Sequence, residues 1–176
     1  MKKEIDVFAY AAQITEAIGK GVLLTTSLNG KVNTMAIGWG TLGIQWGKPI
    51  FIAFVRQSRY TKELLDQTGE FTINVPLEIL DKEVIRVCGT KSGRDLDKVA
   101  ALGLKTVPGD TVAAPGFVQL PLTLECKVIY RQDQDLQAIC PQSLARYYAP
   151  GTADERDFHT AYYGEITAAY IIEECV

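Results

Sequence analysis

The sequence predicts a mainly β protein of the α+β class: a closed or nearly closed antiparallel barrel with peripheral helices. Three observations carry this. About six segments have the length and residue types of strands, and residues 122–130 alternate cleanly between apolar and polar. Asn29-Gly30 joins two such segments by the strongest short hairpin signal, since both residues tolerate positive φ. The helical segments are few and do not alternate regularly with the strands, which argues against a doubly wound parallel sheet.

Taken in order, residues 6–18 predict a helix. Asp6 is its cap, and Val7, Tyr10, Ala11, Ile14 and Ile18 fall on one face at spacings of three and four. Gly19 and Gly21 end it. Residues 22–28 are rich in β-formers and turn through Asn29-Gly30 into a return strand over 32–39. A glycine-tryptophan loop then runs to Pro49. Residues 50–55 are continuously apolar, as expected of a strand buried on both faces. Residues 58–68 predict a short helix that opens on Ser58, turns Leu64 and Leu65 inward and stops at Gly69. Phe71, Ile73 and Val75 alternate with Thr72 and Asn74 in a half-buried strand over 70–75, which Pro76 ends. A further helix is expected over 78–87, using Ile79, Leu80, Val84 and Val87. Residues 88–97 (CGTKSGRDLD) form a polar loop that runs into a helix over 95–102. Residues 104–117, punctuated by Pro108, Gly109, Pro115 and Gly116, read as loop with short extended pieces. A helical turn within 141–151 and a last strand over 162–173 complete the chain.

The 176 residues argue for a single domain, 1–176, and 47% hydrophobic residues suffice for an ordinary core. No apolar run approaches membrane-spanning length, so no transmembrane helix is expected. Glu4 and Asp6 interrupt the N-terminal MKKEIDVF before any long apolar run, so it does not read as a signal peptide. The net charge of −3, from 18 basic and 21 acidic residues, gives no pull toward nucleic acid. Cys88, Cys126, Cys140 and Cys175 have no CxxC spacing and, with the single histidine His159, make no recognisable zinc site. Reduced thiols in a cytoplasmic protein are expected.

Gly38, Gly40 and Gly43 spell GxGxxG after a strand. A dinucleotide site would need a helix there, and the following IQWGKPI, with Gly47 and Pro49, precludes a long one. Four other places carry chemistry. At the helix start near Ser58, Arg56, Arg59 and Lys62 oppose the helix dipole, and a bound phosphate would reverse that sign. Ser58 and Thr61 would add hydroxyl donors; equally, Ser58 merely caps and the basic side chains reach solvent. Asn33 carries the donors and acceptors to read a heteroaromatic edge, and Trp39 and Trp46 form either a flat wall or plain core. Thr90-Lys91-Ser92-Gly93-Arg94 is either an anion-holding or a solvated loop. His159, beside Phe158, Tyr162 and Tyr163, is either a proton donor or ring contact, or a partly buried surface histidine. No Ser-His-acid or paired-carboxylate arrangement is visible, so no hydrolase is indicated.

The block NTMAIGWGTLGIQWGKPIFIAFVRQSRYTKELLDQTGEFTINVP, then CGTKSGRDLDK and HTAYYGEI, resembles flavoredoxin and its relatives, the flavin reductase-like, FMN-binding split-barrel family. The resemblance spans residues 20–172. It implies a split β-barrel homodimer that binds FMN non-covalently near the subunit interface. It also implies electron transfer through that flavin, with NADH or NADPH as donor and free flavin, a metal complex or a protein as acceptor. Carried over residue by residue, Asn33, Thr34, Met35 and Ala36 line the flavin ring or ribityl chain, and Trp39 sits beside the ring. Ser58, Arg59 and Thr61 hold the phosphate, and Lys91 and Ser92 reach the flavin from another segment. His159 and Tyr163 approach from the late strand, across the dimer. The isoalloxazine carries the redox chemistry, so no catalytic side chain is assigned. A non-enzymatic FMN-binding or storage module is the alternative, and a cofactor-free barrel a weaker third reading.

Overall fold

The structure, a computed structural model, describes residues 1–78, 80–148 and 157–173. β1 (Lys2–Glu4) precedes a 3₁₀ turn, Val7–Tyr10, and α1 (Ala11–Lys20). Four strands follow: β2 (Val22–Leu28), β3 (Lys31–Ile37), β4 (Gly40–Gln45) and β5 (Lys48–Arg56). Then come α2 (Tyr60–Thr68), β6 (Glu70–Val75), α3 (Lys82–Thr90) and α4 (Lys98–Ala101). A ribbon of β7 (Thr106–Val107) and β8 (Gly116–Phe117) leads to β9 (Leu122–Asp133), α5 (Pro141–Tyr147) and β10 (His159–Ile172).

One antiparallel sheet runs β3-β2-β6-β9-β10-β5-β4, with β1 against the far half of β10. β10 pairs with β5 over its first half and with β1 at its end, keeping β9 throughout; two register shifts, at Tyr163/Gly164 and Ile166/Ala168, permit this. The sheet curls but does not close. β3 pairs with β2 alone, and its end comes beside β5 without pairing to it, so the antiparallel barrel is split along that seam.

Inside the barrel, Leu24, Phe51, Val55, Phe71, Ile73, Leu124 and Tyr162 pack together, and α1 covers one end with Ile14, Ala17 and Ile18. A second layer lies on the opposite face of β2, where Leu23, Phe117 and Leu120 meet Val84 and Cys88 of α3. Buried polar groups on these strands bond one another. Asn74 Nδ2 donates to Thr25 Oγ1 (3.1 Å) and Thr72 Oγ1 (3.0 Å), and Thr25 donates to Thr34 Oγ1 (2.9 Å).

The structure corrects several expectations. Part of the glycine-tryptophan loop is a strand: residues 40–45 pair with β5 as β4, through a two-residue turn at Trp46 (φ 53°) and Gly47 (φ 72°). Positive φ at both positions is the geometry of a tight hairpin, and Trp46 is an unusual occupant of it. As expected, no helix follows Gly38, Gly40 and Gly43; the next elements are strands. β5 buries Ile50, Phe51, Ala53 and Val55, but Ile52 and Phe54 are only partly buried. β1 was not foreseen. The first helix divides in two, with Asp6 Oδ1 accepting from the Phe8 N–H of the 3₁₀ turn (3.0 Å). α3 starts late, at an Asp81 cap, and Ile79 lies outside the described residues. Only Lys98–Ala101 of residues 95–102 is helical, and the last strand starts earlier than expected, at His159. Residues 149–151 of the expected helical turn, and Cys175, also lie outside the described residues.

Gly164, at the first register shift of β10, allows the core to close. A Cβ there would stand 2.5 Å from Phe71 Cζ and 2.8 Å from Cys126 Cβ, both fully buried. Gly164→Ala is expected to destabilise the fold by about 1–3 kcal/mol. Urea unfolding measures this, and an unchanged midpoint would mean that the core yields freely here.

Candidate functional site

The split positions the site. β2 takes one edge of β3, and among the described residues alternate N–H and C=O groups on the other edge have no strand partner. Along that open edge lies a cavity of about 170 Å³ lined by Met35, Ala36, Ile37, Gly38 and Trp39 on one side. Phe54, Arg56, Arg59 and His159 line the other. Trp39 is a wall rather than core. The residue is 41% exposed, and its ring lies 4.9 Å from the His159 ring and 5.0 Å from that of Tyr147, edge-on to the latter. Trp46 stands apart, on the hairpin turn against Tyr130.

A hydrogen-bond chain orients His159. Gln134 Oε1 accepts from the His159 backbone N–H (3.2 Å) and from the Tyr148 hydroxyl (2.8 Å). Tyr148 has one proton to donate. With that proton on Gln134, the 2.6 Å contact to His159 Nδ1 requires Nδ1 to carry a hydrogen.

A second cavity of about 130 Å³ shares Met35 and Arg59 with the first, so the two form one groove from the seam to the start of α2. Ser58, Thr61, Cys88, Lys91, Ser92, Gly93, Arg94 and Lys98 also line it. No acid does. Arg94 is paired with Glu63, but among the described residues Arg59, Lys91 and Lys98 are in no ion pair. The arrangement suits a phosphate group.

The expected site residues divide by where their side chains go. Met35, Ala36, Trp39, Arg59, Thr61, Lys91, Ser92 and His159 line the groove. Asn33 is in the lining of neither cavity. It is buried, and its Nδ2 donates to Thr61 Oγ1 (2.8 Å), which leaves the Thr61 proton for the groove. Thr34 lies on the other face of β3, bonded to Thr25 and to the Leu24 carbonyl (3.2 Å). Tyr163 lies outside both cavities, its ring 5.0 Å from that of Tyr130 on the outer sheet face. Ser58 does not cap a helix. α2 opens at Tyr60, and the Ser58 N–H and hydroxyl both donate to the Asp157 carboxylate (2.7 and 2.5 Å). Sequence reasoning missed Phe54, Asp157, Tyr148, Gln134 and Lys98. Nothing local marks a lysine between Asp97 and Val99 as buried.

With this geometry in hand, comparison with known proteins is informative. Residues 16–175 match the family described as flavin reductase like domain. An uncharacterized protein of Archaeoglobus fulgidus is 31% identical over 99 residues, 56% of this chain and 55% of that one, so the chain spans little more than half the length of this curated relative. The flavoredoxin of Desulfovibrio vulgaris (Miyazaki F) superposes with a TM-score of 0.65 at 26% identity, over 89% of this chain and 70% of that one. The flavoredoxin from Methanosarcina acetivorans does so with 0.64 at 27%, over the same shares of each chain.

Gly93 tests the brace behind Thr61. A Cβ on Gly93 would overlap Asn33 Oδ1 and force the Asn33 amide off Thr61. Gly93→Ala is expected to weaken FMN binding about ten-fold, roughly 1.4 kcal/mol. Fluorescence titration reads this, and unchanged affinity would remove Asn33 from the site.

Proposed function

The chain belongs to the flavin reductase-like domain family, and on that premise we propose that it is an FMN-binding oxidoreductase of the flavin reductase or flavoredoxin type. One observation carries the reading: a single groove joins an unpaired strand edge and an aromatic wall to a cationic end with no acid among its described lining residues. FMN has the matching parts, a flat polar-edged ring at one end and a phosphate at the other.

The open edge of β3 at residues 35–38 would bond the ring's polar atoms, and Trp39 would flank it. Arg59, the Thr61 hydroxyl freed by Asn33, Lys91 and Ser92 would hold the phosphate. Ser58 would not, while its donors stay on Asp157. His159, held by Tyr148, fixes the outer wall. When bound, the flavin supplies the electron transfer; the chain binds it, orients it and shields one face from water. The donor in this reading is NADH or NADPH, the acceptor is free flavin, a metal complex or a protein, and the setting is the cytoplasm.

The working unit of the proposal is a homodimer. Ile52, Tyr163 and Tyr130 form a half-exposed apolar strip on the outer sheet face, continued by Trp46 at 66% exposure. A second copy of the chain would cover it and bring Tyr163 into a shared interface.

Visible absorption of the purified protein, before and after FMN addition and dialysis, tests the cofactor. Arg59→Ala with Thr61→Ala is expected to weaken FMN binding at least ten-fold. An unchanged affinity would reject the phosphate site, and NADH or NADPH oxidation no faster than background would turn the reading toward a binding module. Light scattering tests the dimer. The wild type is expected at twice the chain mass of 19.4 kDa, and Tyr130→Glu at the single chain mass. A monomeric wild type would refute the proposed interface.

A further inference from the structure

A further hollow lies away from the groove, where the end of α1 meets the start of α3. Its volume is about 630 Å³, more than three times that of the cavity along β3. Its floor is Ala17, Gly21, Pro76, Leu77, Leu80 and Ile85, none of which lines the groove. The sheet fixes its walls. Gly21 immediately precedes β2, Pro76 immediately follows β6, and β2 and β6 are hydrogen-bonded neighbours. At the back, α3 is already tight against the end of α1: a Cβ on Gly21 would stand 3.1 Å from Ile85 Cγ2. The hollow also calls for no charge. Its rim carries two acids, Glu16 and Glu78, and two lysines, Lys20 and Lys82. Lys20 and Glu16 are paired at 2.6 Å. The two helix ends that meet here are capped by the chain itself. The Gly21 N–H donates to the Ala17 and Ile18 carbonyls (3.0 and 3.1 Å), and Asp81 Oδ1 accepts from the Glu83 N–H at the start of α3 (2.8 Å). A charged guest would lose its water and gain no counter-charge, whereas a neutral apolar one gains by leaving water.

We propose that this hollow is a second binding site, for a small, uncharged, apolar organic molecule. Its volume falls within the range of roughly 300–1,000 Å³ usual for small-molecule sites. Its surroundings argue against a protein partner, which needs about 800 Å² of matching surface on each side. Gln13, Glu16 and Lys20 of α1 and Lys82, Glu83 and Arg86 of α3 are exposed and polar, so the apolar surface is gathered into the concavity alone. The proposal goes beyond the FMN reading and does not rest on it. The two sites share α3, since Ile85 on the floor stands one turn from Cys88 in the groove lining.

The experiment titrates the whole chain, ¹³C-labelled at its Ile and Leu methyls, with N-phenyl-1-naphthylamine, an uncharged apolar probe. The expected result is saturable shifts at Leu77, Leu80 and Ile85. Ile44, 69% exposed on the β4–β5 hairpin, should not move. Ile85→Trp, which fills the floor, should weaken the probe's affinity at least about ten-fold, read by its fluorescence. The anionic relative 8-anilinonaphthalene-1-sulfonate should shift the same methyls only at about ten-fold higher concentration or more. FMN should leave the probe in place. No saturable shift at the three residues would overturn the site. So would shifts centred on Ile44 or on Ile37 of the groove, or displacement of the probe by FMN; each leaves the FMN reading standing. Equal affinity for the two probes would overturn the uncharged class of ligand. Shifts of the same methyls with protein concentration alone would make the occupant a second copy of the chain and overturn the proposal. Should Ile85→Trp not fold, the methyl map of the wild type decides.

Discussion

The structure depends on a sheet that curls into a barrel and stops one pairing short. An unpaired strand edge inside a folded protein is costly, because each buried N–H or C=O left alone loses the bonds it had with water. Here the cost is confined to a few residues of β3, where the sheet meets β5 without joining it. Closing that gap would complete the barrel and abolish the groove. The site therefore exists because the fold is incomplete there, and the glycine at position 38 keeps the edge approachable.

The second determinant is electrical. The groove's far end gathers cations from the start of α2, the end of α3 and α4, and among the described residues no lining acid offsets them. Its geometry is set indirectly. Asn33 fixes the Thr61 hydroxyl, and Gly93 leaves room for Asn33 to do so. Asn33 and Gly93 thus decide which proton the Thr61 hydroxyl can offer. The same logic runs through Gln134, Tyr148 and His159 at the other end.

Much of this was legible in the sequence. Period-two alternation gave β6 and β9, and Asn29-Gly30 gave the β2–β3 hairpin, because local chemistry suffices for both. β4 was hidden since Gly40 and Gly43 depress strand character and Trp46 disguises a left-handed turn; Gly40 is needed because a Cβ would press on Phe51. The groove residues with a local signature, such as Arg59 and Thr61, were found. Those set by distant contacts were not. Asp157 reaches Ser58 across 99 residues, Thr34 turns away to meet Thr25, and the burial of Lys98 depends on α3 and β3 together. No window of sequence contains those facts.

The cationic end has a further consequence in terms of mass action. A concave surface whose Arg59, Lys91 and Lys98 are in no ion pair among the described residues concentrates mobile anions from any buffer. Uptake of a phosphorylated ligand is then an exchange in which resident counter-ions leave. Its apparent affinity belongs to the solution as much as to the protein: it falls with ionic strength, and further with inorganic phosphate, which competes for the same donors. A Kd for this groove is meaningful only with its anions specified.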